Sequence, residues 1–396
     1  MATIAQNLQK LVDSKTAIAT AITEKGGTVN SGDGFEEFPS DIATIPGGGT
    51  PIIPYLTFKG TSTFTLGLSG EKLWDGTIEY SLDKTNWTIW DGSTSLSSNG
   101  NNELYLRGSS NKRISSINNV SWSYFVFTTN GTIDCIGRID VLLDYNKVIN
   151  CVDITENDIR VYAFRGMFKD CTSLTSAPEL PLKRIVAGLY QCMFAGCTSL
   201  KYAPKLQATD FVVGGGFSYD PYSCYEEMFY GCTSLKKPPE LPAKSVPDSC
   251  YEKMFSGCTS LRYAPELPAT VLGRSCYSNM FNGCTSLMLS PELPATELNE
   301  ECYREMFKGC TDLITIPELT ATTLTTRCYY YMFDGCSKIK ISQSQLGEYQ
   351  TPYRIPASGT GDSGTNSCYS MFYHTGGDFK RTPVINTTYY TSNTVV

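Results

Sequence analysis

One dipeptide constrains the second half of this chain more than any other feature. Met-Phe occurs at Met167-Phe168, Met193-Phe194, Met228-Phe229, Met254-Phe255, Met280-Phe281, Met306-Phe307, Met332-Phe333 and Met371-Phe372. The intervals are 26, 35, 26, 26, 26, 26 and 39 residues, a 26-residue period lengthened twice, by 9 and by 13. Around the marker the chain reads Cys-Tyr-x-x-Met-Phe-x-Gly-Cys-Thr-Ser-Leu-x-x-x-Pro-Glu-Leu-Pro-Ala-Thr. A unit this short cannot bury its own apolar face, so the copies must stack into an array.

Within one copy, Cys250 and Met254 lie four residues apart, as do Tyr251 and Phe255. That spacing predicts a two-turn helix with one apolar stripe, leaving Glu252 and Lys253 toward water. Ser223, Ser249, Ser275 and Ser367 stand where a helix start is capped. Gly231, Gly257, Gly283, Gly309 and Gly335 stand where a left-handed residue ends a helix. The Pro-Glu-Leu-Pro segment is expected to be extended, because Pro excludes helix there. Strands stack about 4.8 Å apart, whereas helices need about 8–10 Å. The predicted fold is therefore a curved α/β solenoid of about eight repeats, extended segments on the concave face, following a short N-terminal helix and a small all-β sandwich-like domain.

The cysteines admit three readings: disulfides, zinc ligands or buried thiols. The regular pairs are Cys224/Cys232, Cys250/Cys258, Cys276/Cys284, Cys302/Cys310 and Cys328/Cys336. Zinc sites favour a spacing of two to four residues, and seven intervene here. Disulfides require an oxidising compartment. Cysteine as a small buried hydrophobe in two core columns is the reading preferred.

The motif Tyr-x-x-Met-Phe-x-Gly-Cys-Thr-Ser-Leu resembles the BspA-like cysteine-containing leucine-rich repeats of bacterial surface antigens and gut phage proteins. Gly347-Glu-Tyr-Gln-Thr-Pro-Tyr-Arg-Ile-Pro, with Ile385-Asn-Thr-Thr-Tyr-Tyr, resembles the terminal segment of similar proteins in gut phages and prophages. The resemblance implies binding and display, and it carries over no catalytic residue.

In residues 1–24, Ile4, Leu8, Leu11, Lys15, Ile18 and Ile22 make a heptad seam with one polar position. The seam suits self-association, for which the fibre likeness given below implies a trimer, or a helix packed on its own chain. Gly26-Gly27 ends it, Gly32-Asp-Gly-Phe-Glu-Glu-Phe-Pro-Ser-Asp-Ile-Ala-Thr-Ile-Pro follows, and residues 47–50 form a Gly-rich linker. Residues 1–46 are similar to the N-terminal module of phage tail and fibre proteins. That likeness implies attachment to another virion protein, or oligomerisation.

Residues 51–150 read as short strands: Leu56-Thr-Phe, Thr63-Phe-Thr-Leu, Ile78-Glu-Tyr-Ser-Leu, Trp87-Thr-Ile-Trp, Leu104-Tyr-Leu-Arg and Tyr124-Phe-Val-Phe. Tyr80-Ser-Leu-Asp-x-x-x-Trp87 resembles a hairpin motif found before such repeats. The tryptophans are expected in the core rather than as sugar platforms. Ile139-Asp-Val-Leu-Leu is expected to begin a cap over the first repeat, and residues 151–396 to form the repeats with a C-terminal cap.

Composition narrows the function. Net charge is −7 and no long basic run occurs, so nucleic acid is not an expected partner. No apolar run approaches the ~20 residues that span a bilayer. The start, Met1-Ala-Thr-Ile-Ala-Gln, lacks the basic and apolar regions of a secretory leader, and the far end shows no wall or lipid anchor. The expectation is a chain made in a cytosol, without a membrane. His374 is the single histidine, in a Gly- and Thr-rich stretch, so no enzymatic role and no cofactor is expected.

Three classes of function are open: a phage virion structural protein (fibre or tail-associated), a bacterial cell-surface adhesin, and a polysaccharide-degrading enzyme. The first is favoured, with a host cell-surface glycan or protein as partner. The frame residues of a repeat are fixed by the core, so partner information must sit where the repeat varies. The pair after Thr-Ser-Leu varies, and Lys201, Tyr202, Lys236, Lys237, Arg262 and Tyr263 are predicted to form one basic, aromatic patch. The alternative is a solvated face whose lysines offset nearby glutamates. Glu179, Glu240, Glu266, Glu292 and Glu318 share a column, with Lys205 in the second repeat, so paired carboxylates, solvated carboxylates or Ca²⁺ are all open there.

Overall fold

The computed structural model describes residues 15, 16, 18–20, 55–118, 120–211 and 223–396. The chain divides into two units, Met1–Ile53 and Pro54–Val396. In the first unit Lys15, Thr16 and residues 18–20 are helical, with Ile18 exposed. Ile4, Leu8, Leu11 and Ile22, and the linker 47–50, lie outside the described residues.

The described residues are mostly strands in several small sheets, with no closed barrel among them. Eight strands open the second unit: β1 (Leu56–Gly60), β2 (Phe64–Leu68), β3 (Thr77–Ser81), β4 (Thr88–Ile89), β5 (Leu96–Ser97), β6 (Glu103–Ser109), β7 (Phe125–Thr129) and β8 (Ile133–Ile136). One sheet runs β4-β3-β6-β1-β8 and continues into β9 (Leu174–Ser176), which belongs to the first repeat. The other runs β5-β2-β7. Phe58 of β1 meets Phe125 and Phe127 of β7 edge-on, at ring separations of 6.0 and 5.2 Å, so the two sheets share one apolar core.

Strand β6 is buried on both faces, because the helix Val141–Ile149 covers its outer side. The approach is close enough to require Gly108: a Cβ there would lie 1.9 Å from the Leu142 carbonyl. The buried Asn111 amide ties this junction, donating to the carbonyls of Thr77 (2.8 Å) and Leu142 (2.9 Å) and accepting from the Gly76 N–H (2.7 Å). In the β3–β4 hairpin Asp83 accepts from the backbone N–H groups of Thr85 and Asn86, both at 2.8 Å. Those bonds, Asn86 first, hold its carboxyl below the ordinary range. Trp74 and Trp90 are core, whereas Trp87 and Trp122 are half-buried beneath Arg107 and Arg165, so the core expectation holds for half of the tryptophans.

The repeats depart from expectation in their backbone. No helix forms at residues 250–255 or in the equivalent segments. The N–H groups of Tyr251, Lys253, Phe255 and Gly257 instead donate to Cys276, Ser278, Met280 and Asn282 of the next repeat, at 2.8–3.0 Å. The alternate N–H groups of Glu252, Met254, Ser256 and Cys258 donate three residues back, at 3.0–3.2 Å. Every fourth residue is left-handed: Ser249 (φ 51°), Lys253 (φ 51°) and Gly257 (φ 75°). The same pattern places Ser275 in a left-handed turn where a helix cap was expected.

The physical reason is spacing. Phe168, Phe194, Phe229, Phe255, Phe281, Phe307, Phe333 and Phe372 stack ring on ring at 5.5–5.8 Å, within 9° of parallel. A second column, Phe164, Tyr190, Tyr225, Tyr251, Tyr277, Tyr303 and Tyr329, stacks at 5.7–6.0 Å. Helices need about 8–10 Å and do not fit. The helix half of the α/β expectation is thereby corrected, and the fanning of helices that was to curve the stack has no cause.

Both ends are closed from within the unit. At the first repeat the Phe125 N–H donates to the Met167 carbonyl (2.9 Å), and the Cys171 thiol donates to the Phe125 carbonyl (3.1 Å). β7 thus takes the place of a preceding repeat. Beside it, the Ile139 N–H donates to the Glu179 carbonyl at 3.0 Å, and Ile139, Val141, Leu142 and Leu143 are buried. At the far end Thr388–Thr391 pairs with Ile341–Ser342 and with Thr351–Arg354. Thr394–Val395 then lies parallel beside Thr315–Ile316.

Candidate functional site

Leu200, Leu235, Leu261, Leu287 and Leu313 are fully buried; the two residues after each of the first four leave the core, and after Leu313 only Ile314 does. Backbone bonds hold these pairs in rank. Lys236 N–H donates to the Lys201 carbonyl (3.0 Å), Met288 N–H to Arg262 (3.1 Å) and Ile314 N–H to Met288 (2.9 Å). Tyr202 bridges in parallel to Lys237, and Tyr263 to Leu289.

All six predicted patch residues, Lys201, Tyr202, Lys236, Lys237, Arg262 and Tyr263, are exposed, the tyrosines at 62 % and 56 %. Sheet alternation asks only one of each pair to point outward. Both do, because the segment is joined by single bridges and not by a continuous ladder. Further along, Thr315 turns inward and its hydroxyl accepts the Ser290 N–H at 2.6 Å.

The patch borders a groove of about 800 Å³ whose walls include Lys236, Lys237, Lys244, Glu240, Glu266 and Tyr263. Its lining is rich in proline, namely Pro238, Pro239, Pro242, Pro265 and Pro268. A second groove of about 590 Å³ continues along the stack and shares Lys244, Tyr263, Glu266 and Pro268 with the first. Sequence reasoning missed Lys244 and the prolines. Lys244 lies outside the variable pair, and proline was read only as a helix breaker.

Glu179, Glu240, Glu266, Glu292 and Glu318 are exposed, and among the described residues their carboxylates have no ion-pair partner. No group of three or more His, Cys, Asp or Glu side chains is arranged to hold a metal among the described residues. His374 Nδ1 lies 2.9 Å from Asp334 Oδ1 at an exposed position.

The cysteines are core residues, with Cys151 alone exposed. In the second column each thiol donates to the carbonyl of the Phe one repeat earlier: Cys197 to Phe168, Cys232 to Phe194, Cys258 to Phe229, Cys284 to Phe255, Cys310 to Phe281 and Cys336 to Phe307, at 2.9–3.1 Å. Burial pushes the Cys232 and Cys284 thiols up to about 12.

A second aromatic group, with Tyr369 exposed and Tyr330 and Tyr331 half-buried, was not foreseen. Tyr330 stacks on Tyr369 at 5.4 Å and Tyr331 stands edge-on to both. The cations around it are paired, Arg327 with Glu301 (3.1 Å) and Lys308 with Glu305 (3.2 Å). The six patch residues have no such partner among the described residues.

Compared with protein-family models, curated proteins and solved structures, the chain matches none.

Proposed function

We propose that this chain is a non-enzymatic phage virion structural protein, a fibre or tail-associated binding protein. In this reading the repeats form one continuous solenoid of about eight non-helical coils in the leucine-rich-repeat class. The N-terminal module joins another virion protein and oligomerises, with a trimer favoured. The face that carries Lys201, Tyr202, Lys236, Lys237, Arg262 and Tyr263 meets the host surface.

The observation that carries this reading is a contrast within one repeat. Frame positions are locked into hydrogen-bonded columns, while the pair after the buried leucine is varied in chemistry and, at Lys201-Tyr202, Lys236-Lys237 and Arg262-Tyr263, exposed. A frame that fixes backbone position and leaves side chains free is suited to display. Exposed Tyr and Arg are the residues that most often anchor interfaces.

Electron microscopy of intact particles, labelled with an antibody raised against residues 223–396, tests the location. Label at a fixed position on the particle is expected. Label on the envelope of uninfected bacteria, and none on particles, would overturn the reading in favour of a cell-surface adhesin.

A further inference from the structure

We infer that the proline-lined groove beside Tyr263 binds a carboxylated polysaccharide. The inference rests on the reading of this face as the binding face, and it names the class of ligand.

Charge is the first argument. Lys236, Lys237 and Lys244 line the first groove against Glu240 and Glu266, and the exposed Lys201, Lys205 and Arg262 stand at equivalent positions of the adjoining repeats, while Glu292 joins Glu266 in the second groove. Among the described residues none of the six cations is within ion-pair distance of a carboxylate. On a chain of net charge −7 this is a local excess of unpaired positive charge. Such an excess raises the local concentration of an anion and favours its approach.

The lining is the second argument, and it separates sugar from peptide. Proline has no N–H, so Pro238, Pro239, Pro242, Pro265 and Pro268 offer no main-chain donor for an added strand. Pro242 is exposed and Pro238 and Pro268 are half-buried, so these three offer ring faces, whereas Pro239 and Pro265 are buried. Tyr263 adds an exposed aromatic face between the two grooves. Apolar ring faces bounded by ammonium groups suit a pyranose that carries a carboxylate. The sugar's C–H face lies on the rings, and its carboxylate takes charge-assisted bonds from lysine.

Continuity is the third argument. The grooves of about 800 and 590 Å³ share residues and run along the stack. A single sugar would occupy one of them, and a polymer would occupy both.

The full chain is titrated with sodium polygalacturonate, with dextran as the neutral control and poly-glutamate as the acidic peptide control. Binding of polygalacturonate alone is expected, weakening as salt rises. Lys236→Gln, Lys237→Gln and Lys244→Gln together should weaken it about tenfold or more, since charge-assisted bonds contribute most strongly. Lys338→Gln, whose lysine is paired with Asp312 elsewhere, should leave it unchanged. Tyr263→Ala should weaken binding with no change in its salt dependence.

Poly-glutamate binding as tightly as polygalacturonate would overturn the sugar assignment. So would an undiminished affinity in the folded triple-lysine variant. Host-cell binding that needs Tyr202, Arg262 and Tyr263, without any affinity for polygalacturonate, would overturn the ligand and leave the binding face standing. Host-cell binding indifferent to those residues would remove both.

Discussion

The cysteines show how one residue type serves two columns for different reasons. In the first, Cys250 and its equivalents are small apolar fillers beside the tyrosine stack. In the second, Sγ bridges repeats: Cys258 donates to a Phe229 carbonyl that already accepts the Cys232 N–H. Alanine would lose that bond and serine would bury a more polar group. Reactivity follows from burial. Native protein is expected to expose one fast-reacting thiol, Cys151, and the denatured chain to release sixteen free thiols to a colorimetric reagent. Several fast thiols in the native state, or few after unreduced denaturation, would contradict the packing described. This part of the site was legible in the sequence, because strict spacing at small, buried positions reports a core column.

At the scale of the element the sequence misled in an instructive way. A four-residue period of Cys, Tyr, Met and Phe is what a helix needs, and those residues are buried as the stripe predicted. A coil with a left-handed residue every fourth position has the same period. Apolar periodicity therefore identifies the buried face and cannot tell the two backbones apart. Stacking distance can, since rings 5.5–6.0 Å apart exclude helices. Glycines at the third left-handed position were legible; Lys253, Glu305 and Tyr331 in that conformation were not, because nothing in their chemistry favours it. Equally hidden was the role of β7 as a substitute repeat, which depends on hydrogen bonds that join Phe125 to Met167 and Cys171, far along the chain.

The closing element makes a prediction of its own. Asn393 is buried; its amide donates to the carbonyls of Ile314 and Lys338, both at 3.0 Å, and accepts the Lys340 N–H at 2.7 Å. Asn393→Ala leaves several buried groups unsatisfied and should cost about 2–3 kcal/mol. A denaturant midpoint shifted down by that free energy divided by the m-value is expected; an unchanged midpoint would mean that the C-terminal strand does not stabilise the last repeats.

For the whole molecule, the buried thiols and phenols make stability depend on pH in one direction. Desolvation raises Cys232 and Cys284 to about 12 from 9.0, and raises Tyr251, Tyr277 and Tyr303 above 10.0. The folded state thus holds protons that the unfolded chain releases. This contribution is complete below about pH 9 and is lost as pH rises toward 12. Melting temperature should hold near neutrality and fall steeply above pH 9, whereas a flat profile to pH 11 would contradict burial of these columns. Association is predicted from the N-terminal seam. Light scattering should find a trimer for the full chain and a monomer for one lacking residues 1–46. A monomeric full chain at micromolar concentration would assign the seam to intramolecular packing.

The central claim is that the Lys and Tyr face, and not the frame that presents it, makes the contact. Its most direct test is binding of the purified chain to host bacteria, followed by flow cytometry. Tyr202→Ala, Arg262→Ala and Tyr263→Ala together remove side chains that are exposed and outside the core, so the melting temperature should stay nearly unchanged. The account predicts that this variant folds and no longer binds. Full binding by the folded variant would contradict it.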